Sequence, residues 1–275
     1  MSEFVATFAS DAALVGCVLR RLGPKLMLGQ GETASGVGFF QSNDVLVRKR
    51  PSHTAYLPER LAEGLESEVT VLASGALLLP GGVPRSFHED STLPLRARRW
   101  LFTLAGKPEE LEPVREALYL ALPDSLRRSF RGDTGAETLF ATFLARVRDL
   151  GPIDDPDLDA SAAAKALAAA IGNAERALES LGMPTPKLAA LASNGRLLVA
   201  LRRGHPLATH SIEGLADCVR HELSPRTREH DPVLRAHKAL KAITLVSGEV
   251  LPEGATPIAE GGIIAIDRSL KAVTL

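Results

Sequence analysis

Cysteine, net charge and long apolar runs are all scarce in this chain, and each scarcity removes a class of function. Only two cysteines occur in 275 residues, Cys17 and Cys218. Two thiols so far apart, in a chain without an export signal, do not frame a disulfide scaffold. They read as reduced, buried small hydrophobes, not as a disulfide or a metal pair. The formal net charge is −1, from 32 basic and 33 acidic residues. Nucleic-acid binding, which leaves a clear basic excess, is therefore not expected. No apolar run approaches the roughly 20 residues of a membrane span. The first residues, MSEFVATFASD, carry Glu3 and Asp11 and no basic residue before their apolar stretch, so they do not resemble a signal peptide. A soluble, cytoplasmic protein is expected, without membrane or nucleic-acid partners.

What is present is a β–α–β succession. Residues 3–9 (EFVATFA) alternate as a short strand, and Ser10 or Asp11 is placed to cap a helix bearing Leu14, Val15, Val18, Leu19 and Leu22 on one face. GVGFFQ and DVLVRKR read as strands joined at Ser42-Asn43, and EVTVLAS, GALLLP and RRWLFTLA as further strands. Pro108 suits the first turn of a helix over 109–122. Leu139, Phe140, Phe143, Leu144 and Val147 make a helical stripe over 136–150, and an alanine-rich helix is predicted over 160–181. KLAALAS and RLLVALRR flank Asn194-Gly195, a hairpin signal, and AITLVS, GGIIAID and KAVTL supply the closing strands. Strands, then helices, then strands suit antiparallel sheets packed together with helices outside, within one domain over 1–275.

Several tempting motifs have plainer readings. His205, His210, His221, His230 and His237 crowd the last third, but none is paired at the i, i+4 spacing of helical zinc motifs. They are expected to be solvated loop residues. Arg96, Arg98 and Arg99, with Arg127, Arg128 and Arg131, read as outward-facing residues balanced by nearby acids. The glycines of 29–38 are not followed by the lysine and hydroxyl residue of a phosphate loop. No metal and no cofactor is expected.

The order of segments resembles the class II, N-terminal-nucleophile glutamine amidotransferases of the small stand-alone type. GETASGVGFF (31–40) stands where that family has a glycine-rich segment, and DVLVRKRPS resembles the strand and proline that follow. STLPLRARRWLFTLAG (91–106) is similar to the family's NTHPF-to-AHNG stretch, and GDTGAETLF (132–140) to its TDSE helix start. SNGRLLVALRRG and the closing strands resemble the late hairpin and end of the family. Together these cover nearly the whole chain. The resemblance implies an α+β fold, the four-layer αββα sandwich of two antiparallel sheets found in N-terminal-nucleophile hydrolases.

The departures fall where the family's chemistry would be. The N-terminal cysteine nucleophile is replaced by Ser2, which also reads simply as the small residue that permits methionine removal. The arginine that grips the glutamine carboxylate would fall near Ala73. The oxyanion asparagine of AHNG corresponds to Ala105, in Thr103-Leu104-Ala105-Gly106, and the substrate-binding aspartate of TDSE to Gly135. The NTHPF histidine has become Leu93. Thr92, Pro94, Trp100, Gly106, Thr134 and Glu137, which belong to the frame, persist. Loss of one oxyanion donor alone typically costs about 100–1000-fold in rate. The expectation is a glutaminase-like fold without glutaminase activity, serving as a binding or scaffolding module. Its vestigial pocket would comprise Ser2, Ala73, Leu93, Leu104, Ala105, Gly106 and Gly135. Its partner would be a protein or a less polar small ligand, and homo-oligomer formation is compatible with it. One alternative is an N-terminal serine amidohydrolase of a non-glutamine amide, with Ser2 as nucleophile and Gly106 as an oxyanion amide. Another is an intact glutaminase whose anchors lie elsewhere in the chain.

Overall fold

In a computed structural model, the segment 3–9 is a strand at the middle of a sheet. The structure describes residues 2–22, 34–42, 44–50, 64–75, 92–130, 133–224, 227, 229–248 and 250–275. The strand expected in GALLLP, the Asn43 turn residue and much of the 29–38 glycine segment lie outside the described residues.

Strand β1 (Glu3–Ala9) is flanked by β4 (Val69–Ser74) and β10 (Lys241–Ser247), both antiparallel to it. Beyond β4 come β2 (Ser35–Gln41) and β3 (Asp44–Arg50), and beyond β10 come β9 (Leu207–Glu213) and β11 (Thr256–Pro257). The second sheet has six strands: β5 (Leu95–Ala97), β6 (Trp100–Gly106), β7 (Leu188–Ser193), β8 (Leu198–Arg203), β12 (Ile263–Ile266) and β13 (Ala272–Thr274). All pairings among these strands are antiparallel.

Side-chain alternation along β1 assigns its two faces. Phe4, Ala6 and Phe8 join the large core that also contains Leu101, Phe102 and the six-stranded sheet. Val5 points the other way, onto Val15, Leu19 and Leu22. Those three lie on helix α1 (Val15–Leu22), which a short 3-10 turn (Ala12–Leu14) starts once Asp11 accepts from the Ala13 amide at 2.9 Å. The outer layer on the six-stranded sheet is α4 (Gly135–Leu150) with α5 (Ala160–Ser180). Phe102 stacks on Phe140 at 5.0 Å, and Trp100 meets Phe143 edge-on at 5.0 Å. The result is helix, sheet, sheet, helix, as the sequence led us to expect.

Three expectations are refined. The helix after Pro108 is a 3-10 stretch over Pro108–Val114, followed by α2 (Arg115–Leu120) and α3 (Asp124–Arg127). Pro113 lies inside the 3-10 stretch and removes a backbone donor there. The Asn194-Gly195 hairpin exists, but its ladder closes at Ser193↔Leu198, leaving a four-residue loop. Asn194 Oδ1 accepts from the Arg196 and Leu197 amides at 3.0 and 3.1 Å, and Gly195 takes φ +82°. Residues 202–238, without clear periodicity in sequence, contribute β9 and helix α6 (Pro232–Ala239). Among the described residues, no helix is long and apolar enough to cross a membrane.

Candidate functional site

The N-terminal end of β1 is where the family resemblance places chemistry. Ser2 is 1% exposed and forms an isolated antiparallel bridge to Gly106 at the end of β6. The Ser2 amide donates to the Gly106 carbonyl at 3.0 Å, and the Gly106 amide donates to the Ser2 carbonyl at 2.8 Å. This pair ties the seven-stranded sheet to the six-stranded one. Ser2 Oγ lies 3.5 Å from the same Gly106 carbonyl, at the limit of a hydrogen bond. Gly75, which sequence inspection missed, packs directly on Ser2: a Cβ there would stand 2.5 Å from Ser2 Cα, and its φ is +135°. Its position just after β4 was the available signal, since close backbone approach favours glycine.

The expected pocket residues are only partly together. Ala73 pairs across the ladders with Phe4 of β1 and Gly36 of β2. Leu93 covers Gly36, where an added Cβ would press on the Leu93 carbonyl and stand 3.0 Å from Pro94 Cδ. Leu101 fills the space beside Gly38, so the odd-numbered residues of β6, Ala105 included, face the seven-stranded sheet. Leu104 shares the other face with Trp100 and Phe102, beneath α4. Ala73, Leu93, Leu104 and Ala105 are all at most 1% exposed and belong to the central core.

Gly135 stands apart, at the start of α4. Thr134 caps the helix by accepting from the Glu137 amide at 3.0 Å, and Glu137 accepts from the Asp133 amide at 2.8 Å. The Gly135 amide donates to Glu112 Oε1 at 2.7 Å, so a carboxylate of the chain itself occupies the positive end of the helix. A Cβ on Gly135 would meet the Leu111 backbone at 2.7 Å. Thr103 Oγ1, Ser35 Oγ and Ser74 Oγ are buried without hydrogen-bond partners among the described residues, and the sequence reading singled out none of them. Ser35 and Ser74 are directly opposed across β2 and β4, and Ser74 is also opposite Glu3.

The cysteines and histidines require correction. Cys17 and Cys218 are buried, as expected, but they are not isolated from each other or from histidine. With His221 and His237 they form one group whose ligand-type atoms all lie within 4.8 Å of one another. His230 is exposed, as anticipated, whereas His205 is 5% exposed and His237 fully buried. The expectation of solvated loop histidines fails for His205 and His237, and the two cysteines are brought beside His221 and His237 because folding joins three segments that are remote in sequence. The Cys218-x-x-His221 spacing, a common separation of two metal ligands on one turn, was the legible signal.

No protein-family model and no curated protein sequence matches the chain. Its likeness is to solved structures. A glutamine aminotransferase class-II domain protein from Silicibacter pomeroyi superposes with a TM-score of 0.58 at 18% identity, over 99% of this chain and 98% of that one. A predicted glutamine amidotransferase from Pseudomonas aeruginosa gives 0.50 at 13% identity, over 99% and 96%. The allosteric regulatory enzyme of purine biosynthesis gives 0.54 at 8% identity, with 99% of this chain on 48% of that one. Two stacked antiparallel sheets with outer helices, β1 central and Ser2 at its leading end, give this chain the class II glutamine amidotransferase fold of N-terminal-nucleophile hydrolases.

Proposed function

We propose that this protein is a non-catalytic relative of the class II glutaminases, keeping their frame as a binding or scaffolding module. The observation that carries the reading is the side-chain chemistry around Ser2. Ala73, Leu93 and Ala105 offer no hydrogen-bonding group, and Gly135 lies against Leu111 and Glu112. A zwitterionic amino acid needs charge-assisted hydrogen bonds at both ends, each worth roughly 1.5–3 kcal/mol. None of the positions aligned with the family's anchors supplies one.

The amidohydrolase alternative requires Gly106 to donate to a developing oxyanion. That amide is engaged with the Ser2 carbonyl at 2.8 Å, which argues against the role. A ligand suited to this end of the fold would be less polar than glutamine.

Titration of glutamine into the purified protein in a calorimeter tests the proposal. The expected result is no saturable heat. Stoichiometric binding, weakened by Ser2→Trp, would overturn it and locate a working amino-acid pocket beside Ser2.

A further inference from the structure

On the far face of the seven-stranded sheet from the inter-sheet core, α1, the 218–223 turn and α6 enclose a small satellite core. It includes Ala9, Leu14, Cys17, Val18, Leu215, Cys218, Leu234 and Leu240. Four groups converge within it. Cys17 comes from the middle of α1. Cys218 and His221 come from a tight turn, closed by the Leu223 amide donating to the Cys218 carbonyl at 2.9 Å and by Glu222 at φ +54°. His237 comes from α6, whose start is fixed by Pro232 and by Asp231 accepting from the Val233 and Leu234 amides.

Two of the interatomic distances already match the edges of a coordination shell, and the whole group spans no more than 4.8 Å. Zinc bound at about 2.3 Å to sulfur and about 2.0–2.1 Å to nitrogen sets a tetrahedral S···N edge of about 3.6 Å. Cys17 Sγ and Cys218 Sγ lie 3.4 and 3.6 Å from His221 Nδ1. The fourth corner is His237. Its Nδ1 donates to the Val233 carbonyl at 2.7 Å, which fixes the tautomer and leaves Nε2 with its lone pair. That Nε2 is fully buried and has no hydrogen-bond partner among the described residues. An orphaned acceptor beside two thiols and a second imidazole is costly in a protein interior unless something satisfies it.

We propose that Cys17, Cys218, His221 and His237 bind one zinc ion, in a closed structural site that fastens α1, the 218–223 turn and α6 to the outer face of the sheet. Binding displaces the two thiol protons to solvent, and two thiolates with one divalent cation give a neutral centre compatible with burial. Four protein ligands leave no open position, so the ion serves structure and not substrate activation. The S₂N₂ set with tetrahedral edges selects zinc among divalent ions. A dinuclear iron–sulfur cluster would hold thiolates and imidazoles on different irons, which the short S···N edges do not allow. Without a cation, burial and the adjacent Cys218 push the Cys17 thiol up to about 12, and burial, then His237 and Arg220, lower His221. Apart from the His237 bond to the Val233 carbonyl, the hydrogen bonds of these uncharged groups are to one another.

The test is metal analysis of the full chain purified without a metal-binding tag. About one equivalent of zinc per chain is expected in the wild type and in His230→Ala, whose side chain is exposed and outside the cluster. Cys218→Ala and His237→Ala should lose it at least tenfold. In case those variants fail to fold, the wild type is also exchanged with cobalt. Tetrahedral ligand-field bands together with a thiolate charge-transfer band are expected. Three results would overturn the proposal: folded wild-type protein free of zinc and unresponsive to cobalt, a Cys17–Cys218 disulfide in the freshly isolated protein, or copper or iron with sulfide in place of zinc. Folded variants that keep their zinc would also overturn it.

Discussion

The two ends of the segment from Ser2 to Cys17 are built in opposite ways. Around Ser2, the positions that the family resemblance aligns with reactive and charged side chains carry alanine, leucine and glycine, and the backbone closes on itself through the Ser2–Gly106 bridge. At Cys17, only 15 residues later, four side chains of ligand chemistry converge and one buried nitrogen is left unsatisfied. On the function proposed above, the first region keeps a frame without its chemistry. The second has chemistry that the frame does not require. A site is diagnosed by convergence of functional atoms, not by its address in a fold.

The comparison is sharpened most by removing the metal. If the zinc dissociation constant lies about 1000-fold below the free zinc concentration, binding stabilises the folded state by about 4 kcal/mol. Stripping it with a strong chelator should lower the melting temperature by roughly 8–16 °C, followed by far-UV circular dichroism. Re-addition of zinc should reverse the shift. Acidification should release the ion, because thiolates and imidazoles take up protons as pH falls. A melting temperature indifferent to chelation would leave the two regions equally inert.

These two regions also differed in how far the sequence revealed them. The frame was legible because it rests on local pattern: period-two strands such as VTVLAS, the stripe Leu139–Val147, the Asp11 cap and the Asn194-Gly195 turn all formed. Position 2 was legible because the strand begins at residue 3. Gly75 was not, since its role is a contact across strands. The cluster was hidden for a stronger reason. Cys17 and Cys218 are 201 residues apart in the sequence, and they meet only because β1 lies beside β10, which α6 immediately precedes. Residues 207–213 and 232–239 lacked a clean apolar period, so neither β9 nor α6 announced the element that would carry His237 inward.

A smaller effect is expected from introducing the family's anchor residues. Ala105→Asn places an amide in a site that is 0% exposed and apolar. It should destabilise by about 1–3 kcal/mol, from polar burial and overpacking. Gly135→Asp should have an effect of similar size, because its Cβ meets the Leu111 backbone at 2.7 Å and its carboxylate would stand near Glu112. Urea midpoints check both. If either substitution is neutral, the space for a substrate anchor is still present and the region is emptier than its packing indicates.

The smallest expected effect is the most direct test of the central claim, that the Ser2 end retains form without chemistry. Glutamate formation from glutamine is measured for the wild type and for Ser2→Cys, with Ser2→Ala as the blank. A better nucleophile does not replace absent binding groups, so both proteins should match the blank. Turnover in Ser2→Cys, or wild-type turnover abolished by Ser2→Ala, would contradict the account and place a competent glutamine pocket beside residue 2.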